Sequence, residues 1–242
     1  MIKEVKPDLS LNTSKKEQVE EMFNSIAPKY DFLNRFLSLG IDKIWRKKAI
    51  AYLKPLQPKV MLDVATGTGD LALEAMKLNP EQIIGLDIAE QMLAFGRVKI
   101  DKKGWSSKIQ MMQGDSENLP FEDNKFDAIT VAFGVRNFQN LSKGLKEMNR
   151  VLKPGGRLVV LEFSKPAFFP YKQVYNFYFT YILPVMGNLL SNSKNAYTYL
   201  PESVKHFPEG EAFAGFLNEA GFKNTIVEPL TFGTCSLYIA DK

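Results

Sequence analysis

Asp63, Asp70, Asp87 and Asp115 stand, together with Gly67 and Gly69, at spacings that suit a cationic, nucleoside-like ligand. The apolar run Val60-Met61-Leu62-Asp63-Val64-Ala65 leads straight into Thr66-Gly67-Thr68-Gly69-Asp70. A strand pattern, a glycine-rich turn and a helical pattern in that order crowd backbone amides at one spot and let a ligand approach the main chain closely. Asp87 ends a second strand-like run, Gln82–Asp87, where a carboxylate can bind both hydroxyls of a ribose. After a third run, Ile109–Gln113, the turn Gly114-Asp115-Ser116 would set Asp115 near an adenine amino group and the Ser116 backbone near a ring nitrogen.

Charge decides between the two ligands that such a loop serves. Gly67, Gly69 and Ala72 satisfy the loose dinucleotide fingerprint, but carboxylates around the loop would repel a pyrophosphate. They would attract the sulfonium and ammonium of S-adenosyl-L-methionine. The expected cofactor-binding set is therefore Asp63, Gly67, Thr68, Gly69, Asp87, Asp115 and Ser116, and a nicotinamide dehydrogenase is disfavoured. Each aspartate taken alone could equally cap the helix that follows it. Their convergence at three strand ends favours the ligand.

Between residues 60 and 164, β-rich runs alternate with helical spacing, the pattern of a mostly parallel sheet covered by helices on both faces. Strands are expected at Val60–Ala65, Gln82–Asp87, Ile109–Gln113, Ala128–Phe133 and Arg157–Phe163. Helices are expected at Asp70–Leu78, Glu90–Lys99 and Leu141–Leu152, the last stopped by Lys153-Pro154-Gly155-Gly156. Upstream, Lys15–Trp45 reads as two helices or a helix and a loop, a candidate lid. Downstream come an aromatic segment from Phe168 to Tyr181, a polar stretch with Tyr197, Tyr199 and His206, a helix over Glu209–Ala220 and two strands, Thr225–Glu228 and Cys235–Ala240, suited to an antiparallel hairpin. The expected organisation is one domain: a helical lid over 1–55, a cofactor-binding core over 56–164, a substrate-covering insertion over 165–208 and a C-terminal helix and hairpin over 209–242.

Composition narrows the classes further. The 242 residues are 45% hydrophobic and 24% charged, ordinary for a globular chain. Thirty-one basic against 27 acidic residues leave +4, compatible with weak attraction to an anionic surface. The basic residues are scattered, with no interleaving of arginine and aromatics, which argues against nucleic acid as partner. A single cysteine, Cys235, and a single histidine, His206, are too few for a Cys/His metal site, so no metal is expected. The polar start and the interruption of Val174–Leu190 by Asn176, Thr180, Pro184, Gly187 and Asn188 lead us to expect a cytoplasmic protein without a membrane span.

Residues 60–164 resemble the class I methyltransferases. The resemblance rests on Leu62-Asp63-Val64-Ala65-Thr66-Gly67-Thr68-Gly69, Asp87, Gly114-Asp115, Phe126-Asp127 and Leu152-Lys153-Pro154-Gly155-Gly156. It implies a Rossmann-like α/β fold with seven strands, the last antiparallel. Beyond that core, Tyr30-Asp31-Phe32-Leu33-Asn34 with Ser38 and Trp45, Phe133-Gly134-Val135-Arg136-Asn137, Glu162-Phe163-Ser164 and Leu230-Thr231-Phe232-Gly233 are similar to the C-methyltransferases of menaquinone and ubiquinone biosynthesis. Leu33 and Asp42 depart from that pattern, where methionine and histidine would stand. The resemblance implies an isoprenoid quinol as substrate, demethylmenaquinol on the evidence of Pro201-Glu202-Ser203-Val204 and Phe207-Pro208, with the benzoquinol of ubiquinone biosynthesis as the alternative.

A quinol carbon becomes nucleophilic when the neighbouring hydroxyl loses its proton. Arg136 is placed to stabilise the developing oxyanion and Asn137 to orient it. Tyr30, Asp31 and Tyr197 are the candidate proton acceptors, with Tyr199, His206 and a water held by Arg136 and a carboxylate as the alternatives. The aromatic segment needs an apolar partner, for which the domain's own core, a homodimer mate, the prenyl tail and peripheral contact with the inner face of the membrane all qualify. The rival readings are a small-molecule or RNA methyltransferase of the same fold and a non-catalytic scaffold of a quinone-synthesis complex.

Overall fold

The computed structural model describes residues 5–38, 40–178, 181 and 194–242, and for residues 36, 37 and 194–197 the backbone alone. Seven strands form one sheet: β1 (Val60–Val64), β2 (Gln82–Asp87), β3 (Ile109–Gln113), β4 (Phe126–Ala132), β5 (Leu152–Phe163), β6 (Lys223–Leu230) and β7 (Cys235–Asp241). Their order is β3-β2-β1-β4-β5-β7-β6. Strands β1 to β5 pair in parallel, and β7 is antiparallel to both neighbours. The order reverses between β1 and β4, so the loops leaving those two strands part and open a crevice at the carboxyl edge.

The near-continuous apolar character of the strands follows from burial on both faces. In β5, Leu158 and Val160 face the cluster containing Leu145, Met148 and Phe213. Val159 and Leu161 face the opposite cluster, with Trp45, Ile50 and Leu71. Helices α3 (Asp42–Ala51), α4 (Asp70–Ala75) and α5 (Glu90–Lys102) cover this second face, and α6 (Leu141–Val151) covers the first. Full burial of one such leucine is worth about 1.5–3 kcal/mol, so the two clusters account for much of the driving force.

The chain before the sheet forms three helices: α1 (Lys15–Ile26), α2 (Tyr30–Leu37) and α3. A capping box between Ser14 and Glu17 starts α1, and Gly40, at φ 77°, turns the chain out of α2. The third helix escapes a reading of apolar spacing because it buries only a narrow stripe of Trp45, Ala49 and Ile50. Helix α7 (Tyr171–Phe177) follows β5, and α8 (Lys194–His206) and α9 (Glu211–Glu219) precede β6. The polar stretch with Tyr199 and His206, for which apolar spacing gave no helix, is the helix α8. Pro201 lies inside it and removes only one backbone donor, which a helix packed on neighbours tolerates. Strand β5 begins at Leu152 rather than Arg157. Leu152 pairs with Phe126, and a register shift absorbs the glycine-rich turn before pairing resumes at Ala128 and Arg157.

Among the described residues no helix is long and apolar enough to cross a membrane. Within the aromatic segment, Phe179 lies outside the described residues.

Candidate functional site

The loop after β1 bends through three left-handed residues, Ala65 (φ 51°), Gly67 (φ 56°) and Gly69 (φ 79°). Asp87, at the end of β2, holds it: one carboxylate oxygen accepts the Gly67 N–H at 2.7 Å and the other the Ala89 N–H at 2.9 Å. A carboxylate oxygen has two lone pairs, so both remain able to accept a ribose hydroxyl. A pocket beside Asp87 is lined by Gly67, Asp115, Ser116, Asn137 and Phe138. Burial raises the Asp87 carboxyl despite these backbone donors. At Asp115 burial also pushes upward, but the Lys16 ammonium at 2.9 Å and the Glu117 N–H outweigh it and hold the carboxyl below its ordinary value. Lys16 reaches it from α1, so the helix before the sheet is tied across this pocket.

Asp63 lies beneath the loop with 1% of its surface exposed. Its oxygens accept the hydroxyls of Thr66 and Thr130, each at 2.6 Å. Burial pushes its carboxyl up to about 6, the two hydroxyl donors opposing the shift. It borders the larger cavity, as do Thr68 and Asp70. Asp70 is held low, since Lys99 and Arg46 together outweigh the upward push of burial. A cation bound at Asp63 favours its ionised form, so affinity for S-adenosylmethionine is greatest above the carboxyl's titration and falls as pH drops through about 6. Calorimetry should show affinity about tenfold weaker at pH 5 than at pH 7 in the wild type and a flatter profile in Asp63→Asn. A flat wild-type profile would remove Asp63 from cation binding.

The larger cavity, about 370 Å³, lies on the other side of Tyr30 and Phe133, residues that border both spaces. Its wall is aromatic: Trp45, Phe133 and Phe163 pack with ring centroids 4.5 to 6.4 Å apart. The Trp45 indole is fixed by a 2.8 Å hydrogen bond to Thr231 Oγ1. Arg136 enters this wall with its guanidinium 5.4 Å from the Phe163 ring centroid. Its Nη1 donates to Glu162 at 2.8 Å and to the Phe133 carbonyl, while Nε is buried without a partner among the described residues. Glu162 is fully buried, and burial raises its carboxyl against the opposing charge of Arg136.

The chain bends sharply to present Arg136. Phe133 is left-handed at φ 57°, and a Cβ on Gly134 would sit 2.5 Å from the Ala65 Cβ, so only glycine lets the loops after β1 and β4 touch. Lys15 Nζ then donates to the carbonyls of Arg136 and Phe138 at 2.9 and 2.8 Å. Glu117 accepts the N–H groups of Gln139 and Asn140.

The expected residues therefore divide between two adjoining spaces. Gly67, Asp87, Asp115 and Ser116 gather at the smaller pocket, and Asp63 and Thr68 at the larger cavity. Gly69 borders neither: a Cβ there would meet Ile100 and Met111, and its role is the turn into α4. Arg136 and Asn137 also separate, Arg136 bordering the cavity and Asn137 the pocket. They meet at the Phe133 carbonyl, to which Asn137 Nδ2 donates at 3.3 Å. Asn137 Oδ1 is buried without a partner among the described residues, as a site awaiting a donor would be.

Of the three candidate proton acceptors, Asp31 accepts the Thr68 hydroxyl at 2.6 Å and pairs with Lys99 at 2.5 Å, so both its oxygens are engaged. Tyr30 borders the cavity, and burial raises its hydroxyl with Asn34 and Arg136 opposing. The Tyr197 side chain lies outside the described residues. The sequence reading missed Lys15, Lys16 and Glu117, whose roles depend on contacts across the fold, and gave no role to Glu162, although an acidic residue inside an otherwise apolar strand was a visible signal.

A glycine loop under carboxylates, beside an aromatic cavity with a buried arginine, on a sheet of this order, defines a Rossmann-like methyltransferase. By a match of residues 11–242 to the family model, the chain belongs to the ubiE/COQ5 methyltransferase family. It is 52% identical to the demethylmenaquinone methyltransferase of Bacteroides fragilis over 98% of this chain and 97% of that one. It is 47% identical to the ubiquinone/menaquinone biosynthesis C-methyltransferase of Geotalea daltonii, over 95% and 98% of the two chains. A solved S-adenosylmethionine-dependent methyltransferase of Thermotoga maritima shares the fold, with a TM-score of 0.65 and 19% identity over 92% of this chain and 99% of that one.

Proposed function

We propose that the chain transfers the methyl group of S-adenosyl-L-methionine to a ring carbon of demethylmenaquinol in menaquinone biosynthesis. The observation that carries this reading is the buried Arg136 in an aromatic wall directly beside a carboxylate-lined nucleoside pocket. The residues fit the methyl donor: Asp87 offers two acceptors to a ribose, Asp115 and the orphaned Asn137 Oδ1 offer acceptors to an adenine amino group, and Asp63 offers negative charge to the methionine end. The bound donor supplies an electrophilic methyl group.

The chain's residues prepare the acceptor. Trp45, Phe133 and Phe163 form an apolar wall on which a flat ring can lie shielded from water. Arg136 lowers the energy of the quinol oxyanion through a guanidinium that Glu162 and the Phe133 carbonyl fix in place. Asn137 supports Arg136 by sharing that carbonyl. With Asp31 committed to Thr68 and Lys99 and the Tyr30 phenol held protonated by burial, the proton leaves by water held at Arg136. Purified protein given labelled S-adenosylmethionine should methylate reduced demethylmenaquinone. A faster reaction with the benzoquinol would transfer the assignment to ubiquinone biosynthesis, which the name of the Geotalea relative keeps open, and labelling of neither would overturn the reading.

The same face suits peripheral contact with the membrane. Phe168, Phe169, Val174, Phe177 and Tyr181 are exposed around α7, while Tyr175 of the same helix is buried and borders the cavity. The exposed rings at the cavity's outer side can enter a bilayer from which a prenylated substrate is drawn. Replacing Phe169 and Phe177 with alanine should weaken binding to anionic lipid vesicles by about tenfold per ring without lowering the melting temperature. Unchanged sedimentation with vesicles would remove the membrane from the account.

A further inference from the structure

The larger cavity contains a hydroxyl that the reaction just described does not use. Tyr199 on α8 packs its ring with Val19, Met22 and Leu33, is 3% exposed and borders the cavity together with Arg136. Its hydroxyl is buried with no hydrogen-bond partner among the described residues. A phenylalanine would fill the same space without burying an unpaired polar atom, so a hydroxyl here points to a partner that arrives with the ligand. Burial holds this phenol protonated at neutral pH, with Arg136 and Glu162 as the charges that act on it, which makes it a hydrogen-bond donor and not a base.

A quinol ring carries two oxygens on opposite sides. One lies beside the carbon that accepts the methyl group and is the oxygen Arg136 stabilises, leaving the other without an assigned partner. Held at one oxygen only, the ring can pivot and withdraw the accepting carbon from the methyl donor. Resting on the quinol reading above, we propose that the Tyr199 hydroxyl donates a hydrogen bond to the second oxygen, across the ring from Arg136, and so fixes which ring carbon faces the donor.

The test compares Tyr199→Phe with the wild type on two acceptors, demethylmenaquinol and a prenylated naphthol that keeps the hydroxyl beside the accepting carbon but lacks the opposite one. The expected result is a loss of about tenfold in kcat/KM on the quinol, no change between the two proteins on the naphthol, and unchanged donor affinity. The ligand-free variant should melt at the wild-type temperature or above, because the deleted hydroxyl has no partner among the described residues. Equal losses on both acceptors, no loss on either, or a lowered melting temperature would each overturn the second anchor. Wild-type turnover of the quinol in the same assay keeps such a failure distinct from failure of the quinol reading, which would appear as no turnover by either protein.

Discussion

Arg136→Ala is expected to lower kcat by about 10²- to 10³-fold while S-adenosylmethionine affinity stays within a few-fold of wild type. In the proposed reaction the charge that meets Arg136 develops on the acceptor, whereas the groups proposed to recognise the donor are Asp63, Asp87 and Asp115. Arg136→Lys should recover only part of the loss, because an ammonium lacks the planar fork by which the guanidinium holds Glu162 and the Phe133 carbonyl while facing the quinol oxygen. The single substitution also strands Glu162, a fully buried carboxylate, and breaking a buried pair in this way destabilises by about 3–5 kcal/mol. Arg136→Met combined with Glu162→Gln removes both charges and should melt near the wild type while remaining inactive. Near-normal turnover by that double variant, with donor saturating, would reduce Arg136 to a structural residue.

Asp87→Ala should weaken S-adenosylmethionine binding by about 3–6 kcal/mol, more than a hundredfold, as read by calorimetry. Two charge-assisted hydrogen bonds to ribose hydroxyls are lost, each worth about 1.5–3 kcal/mol. The loss also releases the Gly67 and Ala89 N–H groups that the carboxylate holds before any ligand binds. Asp87→Asn keeps one acceptor and should lose less. If affinity is unchanged in Asp87→Ala, the carboxylate serves only to brace the loop.

The parts of this molecule that local chemistry dictates were legible in its sequence. The positions of β1 to β5 along the chain followed from apolar runs separated by helical spacing, and the grouping of Asp87 and Asp115 at one pocket from aspartates at strand ends. The parts that depend on distant contacts were not. Asp31 looked like a free carboxylate until the fold brought Lys99 and Thr68 against it. Arg136 and Asn137, neighbours in sequence, looked like one catalytic pair, but the short 3₁₀ turn Val135–Asn137 sends their side chains to two different spaces. The polar character of the stretch around Tyr199 and His206 hid α8, and so concealed that Tyr199 is held on a helix bordering the cavity.

The central claim is that this site activates a ring carbon through the oxygen beside it. It is tested most directly by locating the transferred methyl group. Demethylmenaquinol incubated with the protein and ¹³C-methyl-labelled S-adenosylmethionine should yield a single product in which carbon NMR places the label on the ring carbon adjacent to a hydroxyl. Label on a quinol oxygen, or no labelled quinol at all, would contradict the account.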